Sequence, residues 1–292
     1  MTRPDRLIGA HAPTSGGIAK AALPYADATG AEVVQVFVSN PRGWALSAGD
    51  PAQDEAFRAG CQQRGLAVYV HAPLLVNLGS PTPLTVERSA AAVRHSLHRG
   101  AEIGARAVVF HAGSSVTEEH YPAALRQIRE ALLPLLDWSG ERGGPRLLVE
   151  PSAGGGRSVA ARVEQLAAVL AAVDHHPQLG VCFDTCHAWA AGHDVATPGG
   201  MAATLDALVA SCGPGRLGLV HANDSKDGCG SRRDRHENIG AGMIGEKAFG
   251  ELLAHPATAG VPMVVETPTR GHAGHAADIA TLKHLRDATL AH

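Results

Sequence analysis

The sequence predicts an α/β protein of the (β/α)8 barrel type, with its active site at the C-terminal face of the strands. Three observations lead there. Eight short apolar runs recur along the chain, Ala- and Leu-rich stretches with helical spacing lie between them, and seven of the eight runs are followed directly by His, Asp or Glu.

The runs cover residues 7–10, 32–38, 66–70, 107–110, 146–149, 180–183, 217–220 and 261–265, and their starts lie 25 to 44 residues apart. That interval suits repeated βα units joined by right-handed crossovers. Between them, 86–103, 121–136, 159–173 and 201–209 carry apolar residues at helical spacing. Many of these stretches open on Ser, Thr, Asp or Pro, which helix N-termini favour. No Pro- or Ser-rich linker interrupts the pattern, so one domain over 1–292 is expected.

The runs are followed in turn by His11, His71, His111, Glu150, Asp184, His221 and Glu266, while the second runs into the loop SNPRGW. In a closed barrel these positions meet at one mouth. The sixth run continues as LGVCFDTCHAWAAGHD, with Asp184 at the strand end and His187 three residues on. An Asp there also suits a helix N-cap, and a lone His also suits a satisfied core residue. Within the whole set, the pair is expected to serve two different metal ions lying side by side.

Composition limits the rest. With 45% hydrophobic and 18% charged residues the chain is globular rather than disordered. No apolar run approaches the roughly 18 to 20 residues of a membrane span, and the N-terminal MTRPDRLIGAH lacks a signal-peptide core, so a cytoplasmic protein with no membrane partner is expected. Five cysteines without a CxxC pair argue against a disulfide framework or a zinc ribbon and are expected as reduced thiols. The 17 histidines are the conspicuous excess, and imidazole is the commonest metal-binding side chain. A net charge of −3 disfavours nucleic acid, yet three divalent cations would bring it to +3 with the gain concentrated in the cleft. A monomer is the simplest expectation.

Segment 221–245, HANDSKDGCGSRRDRHENIGAGMIG, adds Asp234 and His236 among Arg232, Arg233 and Arg235. Here the sequence resembles the endonuclease IV family, the zinc-dependent apurinic/apyrimidinic endonucleases of base-excision repair. GVCFDTCHAWAAGHD, HANDSK, GSRRDRHENIGAGMIG and VVETP carry the likeness, and GAHAPTSGG and VHAPLLVNLGSP extend it over nearly the whole chain.

The resemblance implies hydrolysis of the phosphodiester 5′ to an abasic site in double-stranded DNA, leaving 3′-OH and 5′-deoxyribose phosphate. It also implies three zinc ions. His71 and His111 would hold the first, with Glu150, the catalytic carboxylate, bridging to the second. Asp184, His221 and Glu266 would complete the second ion's shell, and His187, Asp234 and His236 would hold the third. Imidazoles and carboxylates without thiolate suit zinc, or manganese at one or more positions, and a bridging carboxylate lets two ions acidify one water.

The resemblance further implies that Arg42, Trp44, Leu74 and Leu75 wedge into the duplex at the lesion, as apolar and Arg side chains are suited to do. Trp44 and the leucines packing beneath a loop is the other reading. Arg232 and Arg235 are expected on phosphate. Leu74 stands where many members have Tyr, and after Glu150 the chain reads PSAGGGR, where Ser152 keeps a hydroxyl but Gly155 brings no amide; the Gly run also suits a phosphate cradle, but a flexible βα loop is expected there. His11 either supports the ligands or contacts phosphate, or is a buried hydrogen-bonded residue. His95, His98, His120, His175, His176, His255, His272, His275, His284 and His292 are expected to be exposed rather than functional, and His193, on the top face, is left open.

Two rival functions fit part of this pattern. A xylose-isomerase-like sugar isomerase or epimerase also gathers His, Glu and Asp at strand ends, but needs no third metal beside arginines. A non-catalytic protein recognising damaged DNA would use closed structural zinc sites, usually with Cys, unlike this set.

Overall fold

A computed structural model describes residues 6–290, so His292 lies outside the described residues. Eight parallel strands close a barrel: Ile8–His11 (β1), Val33–Phe37 (β2), Ala67–His71 (β3), Ala107–His111 (β4), Arg146–Glu150 (β5), Leu179–Asp184 (β6), Leu217–His221 (β7) and Met263–Val265 (β10). Between the last two, Asp224–Ser225 (β8) and His236–Glu237 (β9) pair as a small antiparallel hairpin. Neighbouring barrel strands follow chain order, and β10 closes on β1.

Strand alternation explains why the site lies where it does. Side chains of one parity fill the barrel interior, including Val33, Ala67, Tyr69, Ala107, Val109, Leu148, Cys182, Leu219 and Val264. Those of the other parity, such as Val34, Val68, Phe110, Val149 and Phe183, pack under the helices. The next inward step on β3, β4, β5, β6 and β7 is His71, His111, Glu150, Asp184 and His221. The candidate site is thus the top layer of the barrel's own interior. Gly180 and Gly218 make room one layer below, because a Cβ on either would lie under 3 Å from Leu148.

The outer ring consists of Ile18–Thr29 (α1), Pro51–Arg64 (α2), Pro83–Glu102 (α3), Tyr121–Arg142 (α4), Leu166–Ala172 (α5), Thr185–Ala190 (α6), Gly200–Cys212 (α7), Glu246–Ala254 (α8) and Ala273–Leu290 (α9). Caps set several ends: the Asp50 carboxylate accepts from Ala52 and Gln53 N–H to start α2, with Pro51 as its first residue.

The expected helix over 159–173 is a correction. Only 166–172 is α-helical, after a short 3₁₀ turn at Val163–Gln165. Val159 N–H donates to Gly113 O (2.8 Å) and Ser152 N–H to Ala160 O (3.0 Å), so the 151–160 loop pairs its backbone groups with the loop after β4 and within itself. No helix among the described residues is long and apolar enough to cross a membrane.

Candidate metal centre and its surroundings

All nine carried-over side chains meet at the barrel mouth in three overlapping groups. In the first, His71 Nε2 and His111 Nε2 lie 3.3 and 3.7 Å from Glu150 Oε2. The second surrounds His221 Nδ1, with Glu150 Oε1 at 3.1 Å, Glu266 Oε2 at 3.3 Å and Asp184 Oδ2 at 3.9 Å. In the third, Asp234 approaches His187 Nε2 at 3.3 Å and His236 Nε2 at 3.0 Å. Glu150 joins the first two groups, and Asp184 Oδ2 reaches the third at 3.7 Å from His236 Nε2.

Each of the five imidazoles is aimed by its other ring nitrogen. The Nδ1–H groups of His71, His111, His187 and His236 donate to the backbone carbonyls of Ala72 (2.6 Å), Glu150 (3.2 Å), Pro151 (3.1 Å) and Glu266 (3.2 Å). Nε2 of each then faces the centre. His221 is turned the other way: Nε2–H donates to Gln35 Oε1 at 2.9 Å and leaves Nδ1 inward. Such outer hydrogen bonds fix tautomer and ring orientation in metal sites.

Among the described residues, Glu150 Oε2, His187 Nε2 and His236 Nε2 are buried without a hydrogen-bond partner. Buried polar atoms rarely stay unpaired, and here Glu150 Oε2 faces His71 while the two imidazole nitrogens face Asp234, all at ion-pair distances. A nitrogen and oxygen donor set with such atoms fits divalent cations of the zinc or manganese kind.

The electrostatics follow from packing carboxylates and imidazoles together. Burial pushes the Glu150 carboxyl up, but His221 and His111 outweigh it and hold it well below the usual range. Burial is likewise outweighed at Asp234 by His187 and His236, and at Glu266 by His221 and His11, so both also stay low. Burial lowers His187, yet Asp184 and Asp234 carry it well above the ordinary imidazole value. His221 is raised against its own burial by Cys182, Glu266 and Glu150 beside it, and His236 reaches about 9 through Asp234 and Asp184. His111 goes the other way, lowered by burial.

Several contributors lie outside the strand-end pattern. Gln35, fully buried in the middle of VVQVF, donates to Glu266 Oε1 (2.7 Å) besides accepting from His221. A lone Gln inside an apolar strand is the signal that points to it. Asn223 donates to Asp184 Oδ2 (2.8 Å) and accepts from Glu266 N–H (2.8 Å), tying two ligand carriers together. Cys182 lies near Glu150 and His221, but burial pushes its thiol up to about 12, so it stays protonated. All five cysteines are free. His11 is half-buried, 3.1 Å from Glu266 Oε1, with Nε2 unpartnered.

The cavity above the centre measures about 620 Å³ and is edged by Arg42, Leu74, Lys226 and Arg235. Leu74 and Leu75 are 49% and 39% exposed, so they do not pack beneath the loop; Trp44 is half-buried. Leu74 N–H donates to Pro41 O (2.9 Å), coupling their loop to the one carrying Arg42. Arg235 makes a forked pair with Asp227, and Arg232, at φ 56°, lines a separate cleft with Arg157 and Arg162. The Gly-rich 151–157 turn is braced by a Ser152–Ser158 hydroxyl bond of 2.7 Å.

Five histidines expected to be exposed are not, and His193, left open by the sequence, finds its place. His275 is buried, bonded to Tyr25 Oη (2.7 Å) and Thr267 O (2.8 Å), because α9 turns it inward against the β1 side of the barrel. His193 is buried and accepts from Val163 N–H (3.2 Å), a support for the 3₁₀ turn. His95, His120, His176 and His255 are half-buried rather than exposed.

Fold and site together define a xylose isomerase-like TIM barrel with a His-carboxylate centre, and the model of that family matches residues 23–288. The chain is 55% identical over 284 residues to the probable endonuclease 4 of Streptomyces coelicolor, covering 97% of this chain and 96% of that protein. Endonuclease IV from Thermus thermophilus superposes with a TM-score of 0.84 at 37% identity, covering 97% and 99% of the two chains. The chain therefore belongs to the endonuclease IV family, a family of nucleases. The TTHB071 protein, also from Thermus thermophilus and solved after soaking with ZnCl2, is 26% identical with a TM-score of 0.66 over 96% of this chain and 98% of that one.

Proposed function

We propose that this protein is a zinc-dependent AP endonuclease, which hydrolyses the phosphodiester 5′ to an abasic site in double-stranded DNA and leaves 3′-OH and 5′-deoxyribose phosphate. In this reading His71, His111 and Glu150 hold the first ion. Glu150, Asp184, His221 and Glu266 hold the second, and His187, Asp234 and His236 the third. The observation that carries it is the meeting of these nine side chains around buried, partnerless donor atoms in a chain of this family. The zinc-soaked relative supports zinc as the metal, with manganese as the alternative at one or more positions.

Zinc held there supplies Lewis-acid stabilisation of the charge developing on the phosphodiester and a water acidified towards neutral pH. The chain's residues do the rest. Glu150 stays ionised within its shell of imidazoles, so it acts as a shared anionic ligand rather than a proton donor. Leu74 and Leu75 present exposed apolar surface to an unstacked lesion, with the half-buried Trp44 on the neighbouring loop, and Arg42 adds charge at the cavity edge beside Leu74. Arg235 edges the cavity from the opposite loop and Arg232 extends the basic surface, both towards backbone phosphates. The barrel acts as one domain, as a monomer, on cytoplasmic DNA. The rival sugar-epimerase reading leaves Asp234 and His236 without a purpose.

A duplex carrying one abasic site tests the proposal. It expects a single nick on the 5′ side of the lesion, abolished by chelation and restored by zinc; an uncut duplex with zinc-loaded protein refutes it.

A further inference from the structure

The third group of ligands differs from the other two in how it is held. His71, His111, Glu150, Asp184 and His221 end barrel strands, and Glu266 follows one directly. Asp234 and His236 instead sit on the excursion between β7 and α8, with Asp234 at 59% exposure just before the two-residue strand β9. Something outside the barrel must fix that excursion.

Asp224 is placed to do so. It is fully buried, and its carboxylate accepts five backbone N–H groups. Ser225 and Ile244 donate to Oδ1, both at 2.8 Å, and Gly240, Gly242 and Gly245 donate to Oδ2 at 3.0, 3.2 and 3.2 Å. The loop 240–245 is thereby wrapped around one side chain, and each of these donors is a backbone group rather than a metal-ligand side chain. Asp224 pairs with Glu237, and Ser225 pairs with His236, so the wrapped loop and the hairpin share one anchor. Gly242 has to be glycine for the fit: a Cβ there would lie 2.4 Å from Asp224 Oδ1.

We propose that Asp224 is a positioning residue for the third metal site, setting where Asp234 and His236 stand while leaving the two barrel-borne sites alone. The proposal rests on the three-zinc reading above. Replacing Asp224 by Asn removes one acceptor oxygen and turns an amide N–H towards the backbone donors. Hydrogen bonds made directly to metal ligands are worth roughly 10- to 100-fold in metal affinity, and the effect of Asp224, exerted through the backbone that carries the ligands, is expected within that range.

The test uses the full chain equilibrated with zinc alone, at free concentrations set by a competing chelator, and counts zinc per chain by elemental analysis. Wild type should reach three. Asp224→Asn and Gly242→Ala should stop at two under conditions that fill wild type, with the third ion and abasic-site nicking both returning at roughly 10- to 100-fold higher free zinc. Circular dichroism confirms that each variant is folded, and Gly242→Ala decides alone if Asp224→Asn fails to fold. Folded variants that keep all three ions at wild-type affinity, or lose all three together, overturn the inference. A wild-type plateau below three instead refutes the three-zinc function, and the inference with it.

Discussion

Zinc uptake by this centre should release protons, unevenly among the three sites. His187 and His221 are held well above the ordinary imidazole value and His236 at about 9, so at pH 7 all three carry a proton that a metal ion must displace. Two of the three belong to the third site. Each displaced proton makes apparent affinity tenfold stronger per pH unit, about 1.4 kcal/mol, so the third site should gain roughly a hundredfold per unit between pH 6 and 8. The second site, with His221 alone, should gain about tenfold. At the first site His111 is lowered by burial and is already neutral, so it adds no proton.

The metal-free fold should respond with the opposite sign. A raised imidazole stabilises the fold fully below its unfolded value near 6.5 and loses that contribution as pH rises through the folded value. His236, mostly buried and at about 9, would withdraw about 3 kcal/mol over that window. Stabilisation by zinc should therefore widen as pH rises from 6.5 to 9. The assay is chelator-competed zinc titration at pH 6, 7 and 8 with a pH indicator recording proton release, alongside thermal melts. Release of fewer than one proton per chain, or one common pH dependence for all three ions, would refute the electrostatic account.

Four substitutions probe the same geometry. Glu150→Gln keeps the shape but removes the charge shared by two sites, so it should bind an abasic duplex without cutting it and lose zinc; retained cutting contradicts its bridging role. Gln35→Leu unpairs His221 Nε2 and leaves Glu266 Oε1 with His11 alone, and should weaken zinc binding roughly 10- to 100-fold, read by chelator competition. Leu74→Ala, at an exposed position, should change stability by under about 0.5 kcal/mol yet weaken binding to abasic duplex relative to intact duplex; equal binding of both sinks the wedge. Arg42→Ala should likewise flatten the salt dependence of binding, measured by titrating salt.

The barrel and most of its mouth were legible because both follow one rule. Strands of alternating parity bring every second side chain inward, so a polar residue ending an apolar run lands in the centre, as His71, His111, Glu150, Asp184 and His221 do. Asp234 and His236 were not derivable that way; they come from an excursion off the barrel, and their place among the arginines of 221–245 together with the family resemblance pointed to them. Gln35 escapes the same rule because it lies within an apolar strand rather than at its end. The helix expected from 159 failed because Val159 and Ala160 carry helical apolar spacing while their backbone groups pair with Gly113 and Ser152. His275 was misjudged because its helix turns towards Tyr25, a contact some 250 residues away in sequence that local pattern does not encode.

The most direct measurement is the zinc content of the purified protein with its abasic-site activity intact. Elemental analysis should find close to three zinc ions per chain, lost in parallel with activity on chelation. Fully active protein holding one metal ion or none would contradict the shared centre on which the rest of the account depends.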